Sequence, residues 1–247
     1  MNYTNIVAAR VREYLFPAGC ALCKKALFTG EDAWYGVCAD CRKTVAVEPE
    51  NRCVICGRPL ISEIGRCMQC RETSGGAHAD AKRHRFFDRV FPLFPYAGGY
   101  RTLLSAYKFG ENRAVGNLFA EKLLEGVRFF LEDFTEPVLV PVPPRKGKIK
   151  NEGWDQIEYL ARLLEKKREA IPVYRCLTRL PSQSQKTLGY EERMVNLIRR
   201  IRCFRMPPRE SILFDDVYTT GATMNACADA LKQAGAKKVY GLCLCYT

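Results

Sequence analysis

The sequence predicts an α/β domain, a mostly parallel sheet flanked by helices, preceded by a small cysteine-rich module. Three observations carry that prediction. Strand-length apolar runs alternate with helical patterns from about residue 86 to the end. Eight of the 13 cysteines form four Cys-x-x-Cys pairs, the last ending at Cys70. A short apolar run, Ser211–Phe214, leads straight into two aspartates, a threonine-rich turn and a helix start.

Met1–Phe16 reads as a short amphipathic helix with Ile6, Val7, Val11, Tyr14 and Leu15 on one side. It lacks the apolar block and small-residue cleavage site of a signal peptide. No apolar run approaches the roughly 18 residues that span a bilayer, so a cytoplasmic protein is expected. Residues 17–75 are rich in Cys, Gly and turn residues, and Ser74-Gly75-Gly76-Ala77 reads as a linker. Two domains are therefore expected, 1–75 and 76–247. In the second, Phe86–Tyr96 reads as a strand that Pro92 and Pro95 confine to an edge or a bulge. Gly99–Phe109 and Ala114–Leu131 have helical spacing, and Val138–Val142 is of strand length. Asp155–Arg168 reads as a helix burying Ile157, Leu160, Ala161 and Leu164. Val173–Leu177 and Ser211–Phe214 read as strands. Ala222–Gln233 reads as a helix with Met224, Cys227, Ala228 and Leu231 inward and Gly235 past its end. Lys238–Cys245 closes the pattern as a strand.

The net charge is +12, from 39 basic and 27 acidic residues. Only 10 of the basic residues and 8 of the acidic ones precede residue 76, so the basic surface belongs to the second region. Such a surface suits a polyanionic ligand or nucleic acid.

The cysteine pairs are Cys20/Cys23, Cys38/Cys41, Cys53/Cys56 and Cys67/Cys70. Two such knuckles place four thiolates around one zinc ion, with no open position, so two structural zinc sites are expected. A redox motif of the thioredoxin kind has one pair beside a βαβ unit, not four in a row. Spacing leaves sequential and interleaved pairing open; loop length favours sequential. A region this poor in apolar residues needs its metal to fold. Cys176, Cys203, Cys227, Cys243 and Cys245 are expected as small core residues.

The segment Ile212 to Thr223 is a strand, two carboxylates, a hydroxyl-rich turn and a helix start. Amide groups at such a turn, with the helix dipole behind them, cradle a phosphate monoester. Gly221 permits close approach, and Thr219, Thr220 and Thr223 offer hydroxyl donors. Asp215 and Asp216 can accept from two vicinal ribose hydroxyls and hold a hydrated magnesium ion. A threonine-rich turn is also compatible with plain helix capping, and paired aspartates with a solvated loop. No Gly-x4-Gly-Lys-Ser/Thr string occurs, which excludes a P-loop.

The string Asp215-Asp216-Val217-x-Thr219-Thr220-Gly221-x-Thr223 resembles the ribose-phosphate loop of type I phosphoribosyltransferases. Around it stand Tyr96, Lys108-Phe109, Pro141-Val142-Pro143-Pro144, Gly153-Trp154-Asp155-Gln156, Gln185-x2-Leu188 and Glu192-Arg193-x2-Asn196. Their order is similar to that of the ComF family of competence-associated proteins, which also begins with a cysteine-rich zinc module. The resemblance covers about residues 14–247. It implies a type I phosphoribosyltransferase-like fold binding 5-phosphoribosyl-1-pyrophosphate (PRPP) with magnesium. Asp215, Asp216, Thr219, Thr220, Gly221, Ala222, Thr223, Pro143, Arg145 and Lys108 are the implied PRPP contacts. Arg145 and Lys146 would offset pyrophosphate charge, and Arg179 to Asn196 would be a mobile hood carrying Gln185, Lys186 and Arg193. Asp215, Asp216, Gln185 and Arg193 are the implied catalytic residues. The family usually shows Arg-Gly-Phe-Asn-Gln where this chain has Glu152 to Gln156, and Thr where it has Ser182. The first difference lowers the positive charge near the site.

Such a reaction displaces pyrophosphate from the sugar without a protein nucleophile, and His78 and His84, in the linker region, are expected to be solvated. The resemblance also implies handling of single-stranded DNA with the competence-helicase machinery. Two basic runs, with Lys148 and Lys150 in one and Arg199, Arg200 and Arg202 in the other, are the candidate DNA contacts. The alternative is a DNA-binding adaptor that keeps the PRPP pocket without turnover. Purine salvage and amidotransfer are weaker expectations; no glutaminase module is seen.

Overall fold

A computed structural model of the chain describes residues 18–47, 51–60, 65–72, 85–110, 112–167, 171–181 and 200–247. The expected opening helix and linker, His78 and His84, and the segment holding Ser182, Gln185, Lys186, Arg193, Asn196 and Arg199 lie outside them.

In chain order the helices are α1 (Gly30–Tyr35), α2 (Ala39–Lys43), α3 (Met68–Glu72), α4 (Gly98–Lys108), α5 (Val115–Val127), α6 (Lys148–Glu152), α7 (Gln156–Glu165) and α8 (Ala222–Gln233). The strands are β1 (Arg89–Pro95), β2 (Val138–Pro141), β3 (Leu177–Arg179), β4 (Ile201–Cys203), β5 (Glu210–Tyr218) and β6 (Lys238–Tyr246). A 3-10 turn, Arg128–Asp133, ends the helical run that begins with α5. Among the described residues no helix is long and apolar enough to cross a membrane.

The described residues fall into two compact units, one within 1–46 and 96–121, the other within 47–95 and 122–247. In the first, the Cys20–Cys41 module packs with α4 and the start of α5. Asn117 Nδ2 donates to the Trp34 carbonyl at 2.8 Å, and Tyr35 Oη donates to Glu121. Thr29 caps α1, accepting from Asp32 N at 2.9 Å.

The second unit is built on a parallel sheet of order β1-β6-β5-β2. Its central strands are continuous apolar runs, as burial on both faces requires: seven consecutive residues of β6, Val239–Cys245, are buried. β1 is an edge strand, as its prolines demand. The second cysteine module covers that edge. Val90 N donates to the Ile55 carbonyl at 2.8 Å, and Arg52 donates to the carbonyls of Pro92 at 2.7 Å and Leu93 at 3.0 Å. Gly57 turns the knuckle at φ 63°; a Cβ there would meet Pro92 Cδ at 2.5 Å and Val90 O at 2.6 Å.

Three elements differ from the sequence expectation. Strand β5 runs on to Tyr218, so both aspartates sit inside the ladder, Asp215 opposite Cys243. The expected Val173–Leu177 strand is reduced to one parallel bridge, Val173 to Leu139. There Arg175 turns outward to Glu158 and Glu165 of α7, and the chain re-enters a ladder at Leu177, antiparallel to β4. Helix α8 is buried all round from Met224 to Leu231, not on one face. It lies between β5–β6 and the β3–β4 ribbon, and its alanines let both approach. Its polar members are satisfied: Asn225 Oδ1 accepts from Phe86 N at 2.7 Å and Asp229 accepts from Gln233 Nε2 at 2.9 Å.

Helix α7 buries Ile157, Leu160, Ala161 and Leu164, the expected stripe. Its N-cap, Asp155, accepts from Ile157 N at 2.9 Å and Glu158 N at 3.0 Å while pairing with Lys148 Nζ at 2.9 Å. Asp155→Ala is expected to cost about 1–2 kcal/mol of stability, and Asp155→Asn, which keeps the cap, about 1 kcal/mol or less. Urea unfolding measures both.

Candidate functional site

Two kinds of site are assembled. Cys20, Cys23, Cys38 and Cys41 form one cluster and Cys53, Cys56, Cys67 and Cys70 another, with the sulfurs of each within 4.8 Å of one another. Pairing is therefore sequential. A tetrahedron of sulfurs about 2.3 Å from a zinc ion has edges of about 3.8 Å. The Cys23–Cys38 and Cys56–Cys67 separations are 3.7 and 3.6 Å, so the donor sets fit zinc. Thiolate character is favoured at one sulfur of each cluster, while burial pushes Cys41 and Cys67 up and the hydrogen bond with Cys70 pushes Cys56 up. Cys70 is drawn down to about 4, first by the hydrogen bond with Cys56, against burial, then by Arg85, whose Nη1 donates to its sulfur at 2.9 Å. Cys20 is drawn down to about 6; burial opposes this, and the backbone amides of Cys23, Cys38 and Leu22 outweigh it. Four sulfurs close each coordination sphere, so both zinc ions are structural.

The second site is a small cleft at the carboxyl end of β5, about 30 Å³ in volume. It is lined by Asp215, Val217, Tyr218, Thr219, Gly221, Ala222, Thr223, Met224 and Cys243. Gly221 caps α8 at φ 78°, where a Cβ would strike the Tyr218 ring at 2.8–3.1 Å. Thr220 Oγ1 accepts from Ala222 N at 3.3 Å, and the first helical bond runs from Asn225 N to Gly221 O. The remaining first-turn amides have no partner within the helix by its geometry, which gives the cleft its positive end.

Neighbouring strand positions face opposite sides of a sheet, and this divides the two aspartates. Asp215 lines the cleft on the α8 side, and burial, then its charge, pushes the Cys227 and Cys243 thiols up. Asp216 is buried on the α7 side and accepts from Gln156 Nε2 at 2.6 Å; Gln156 Oε1 in turn receives Lys148 Nζ. The β2 loop leaves the same end of the sheet, since Val142 N extends the ladder to Phe214 O at 3.1 Å. Pro143 is buried in that loop and Arg145 is exposed.

A family model described as a double zinc ribbon domain matches residues 11–71. The chain is 27% identical over 209 residues to competence protein ComFC of Streptococcus pneumoniae, covering 82% of this chain and 84% of that one. It is 24% identical over 239 residues to DNA utilization protein YhgH of Escherichia coli K12, 94% and 98% covered. Competence protein F of Haemophilus influenzae is 22% identical over 212 residues, 83% and 87% covered. Over most of its length the chain is thus similar to proteins of the ComF family, double zinc ribbon included.

Within the ComF pattern the structure accounts for one departure. Asp155, where an amide is usual, still caps α7, and Lys148 offsets its charge. Lys148 is thereby engaged inside the fold; Lys150 and Arg202 are exposed and Arg200 is half-buried. Asp215, Thr219, Gly221, Ala222 and Thr223 share the cleft, whereas Lys108 closes α4 in the other unit. Sequence reasoning gave Arg179 no role beyond opening the hood. Burial lowers its proton affinity, then Arg145, with Asp215 and Arg200 also in electrostatic reach, so it is a further cation beside the cleft. Its place at the end of a ribbon strand was the signal, hidden because β3 was expected elsewhere.

Elemental analysis is expected to find two zinc ions per chain, and Cys20→Ser or Cys53→Ser to leave one. Cys53→Ser should lower the melting temperature of the sheet unit, since its module covers β1, while Cys20→Ser should leave that transition in place.

Proposed function

We propose that this ComF-like protein binds PRPP with magnesium as a phosphoribosyltransferase-like protein linked to DNA uptake. One observation carries the reading: Asp215, Thr219, Gly221, Ala222 and Thr223 line one cleft at the carboxyl end of a central parallel strand. That is where α/β sheets take ligands. First-turn amides and threonine hydroxyls suit the 5-phosphate, and Asp215, with Asp216 behind it, suits the ribose hydroxyls. Arg145, Arg179 and Arg200 suit the pyrophosphate. Asp215 is a hard oxygen donor fit to hold magnesium through water, and the ion, when bound, adds charge to stabilise departing pyrophosphate. The chain's own part is to orient the sugar and stabilise that leaving group. Gln185 and Arg193 belong to the proposal as contacts from the hood segment. The order 1–75 then 76–247, and a cytoplasmic setting, remain part of the same proposal.

A DNA-binding adaptor role has its own support. Phe204 is 59% and Met206 85% exposed, directly after Arg200 and Arg202, and Arg205 stacks at 4.2 Å over Tyr174. Exposed aromatic and apolar side chains between cations suit stacked bases and phosphates of a single strand. Relatives named for competence and DNA utilization agree with it.

Calorimetry with PRPP and magnesium is expected to give saturable binding that Asp215→Asn weakens about tenfold or more, about 1.4 kcal/mol; unchanged affinity removes the pocket assignment. Pyrophosphate release against a panel of bases and amines separates an enzyme from an adaptor. Neutralising Arg200 and Arg202 is expected to weaken single-stranded oligonucleotide binding and flatten its salt dependence by about 0.7 per lost contact.

A further inference from the structure

We propose that Arg58 is a positioning residue of the sugar-phosphate bend, and that through it the second zinc ribbon sets how firmly the bend is held for its ligand. This rests on reading Thr219–Thr223 as that ligand bend. The Arg58 Nη2 group donates to the Thr219 carbonyl at 3.1 Å, across 161 residues of sequence. A charge-assisted bond of this kind is about twice as strong as a neutral one. It falls on the first residue of the bend, where β5 has just ended and Thr219 and Thr220 are exposed.

The other end of this strut is the metal knuckle. Arg58 stands two residues past Cys56, and its carbonyl accepts from Cys53 N at 2.8 Å while Gly57 N donates to Cys53 O at 2.8 Å. Its position is thus set by the two thiolates that flank the turn. A second contact path runs beside it. Tyr218 shares one buried cluster with Cys53, Cys56 and Cys70, meets Phe87 edge-on at 6.4 Å, and presses its ring against Gly221. The start of the Tyr218–Gly221 turn therefore leans on the second ribbon twice, through Arg58 at Thr219 and through Tyr218 in the shared cluster. Zinc at Cys53, Cys56, Cys67 and Cys70 fixes the knuckle; its loss releases Arg58 and slackens the bend. A pocket so built takes phosphorylated sugar tightly only while the second ribbon is metallated.

The test is amide hydrogen exchange read by mass spectrometry on wild type, Arg58→Ala and Arg58→Lys, with zinc counted in each and PRPP–magnesium affinity measured by calorimetry. Arg58→Ala should keep both zinc ions, speed exchange across Thr219–Thr223 about tenfold, leave β6 unchanged and weaken PRPP about tenfold. Arg58→Lys, which keeps a cationic donor, should recover much of both effects. Cys53→Ser should loosen the bend and Cys20→Ser should not. Unchanged exchange in Arg58→Ala overturns the proposal, as does equal acceleration in β5 and β6, or equal loosening by both cysteine variants. Failure of the wild type to take up PRPP brings down the sugar-phosphate reading instead, and the exchange data still decide whether Arg58 anchors the bend.

Discussion

Parallel pairing of β5 between β6 and β2 determines which residues meet at the carboxyl edge of the sheet. Because Pro141 lies opposite Phe214, the β2 loop and the Thr219–Gly221 bend leave side by side. The same ladder sets the faces of the two aspartates. A slip of one residue would exchange Asp215 and Asp216 between the α8 and α7 sides. A slip one way would put Phe214 in the cleft in place of the acid, and a slip the other way would set Val217 against the Gln156 amide. Register is held against this by the continuous buried runs of β5 and β6, so the site's chemistry depends on core packing more than on its own polar contacts.

Charge around the cleft is balanced by pairing within short reach. Asp155 is matched by Lys148, Asp216 by the Gln156 amide, and Asp215 stands near the cations Arg145, Arg179 and Arg200 with neutral thiols beneath it. The exchange of an amide for Asp155 thus leaves the local balance intact, because the same fold supplies the lysine. Arg145, Arg179 and Arg200 leave the loop side of the cleft basic.

Much of the architecture was readable from residue pattern. Helix α8 begins and ends where the spacing and Gly235 indicate, and the cysteine clusters follow directly from duplicated pairs. Periodicity could not show that α8 is covered on both sides, because small residues such as Ala226 and Ala230 carry no signal of burial. The end of β5 was misjudged for a physical reason: acidic residues read as loop, yet in a ladder one strand face can be polar at its carboxyl end. Among the site residues, the bend and its glycine were evident locally. Arg58 and Arg179 were not, since nothing in a sequence records that a side chain reaches a carbonyl or a cation far along the chain.

The duplicated ribbons illustrate how one metal-binding chemistry serves two packing problems. The first folds against α5 through Trp34 and Tyr35. The second closes the exposed side of β1, a strand whose two prolines cannot donate and whose carbonyls would otherwise meet solvent. Arg52 satisfies those carbonyls, and Cys53, Cys56 and Cys70 add apolar cover that the small module cannot bury alone. Sheet and ribbon therefore stabilise each other. By linkage, zinc that favours the folded knuckle must also favour the closed sheet edge. Since β1, β6 and β5 form one ladder, that preference bears in turn on the strand carrying Asp215.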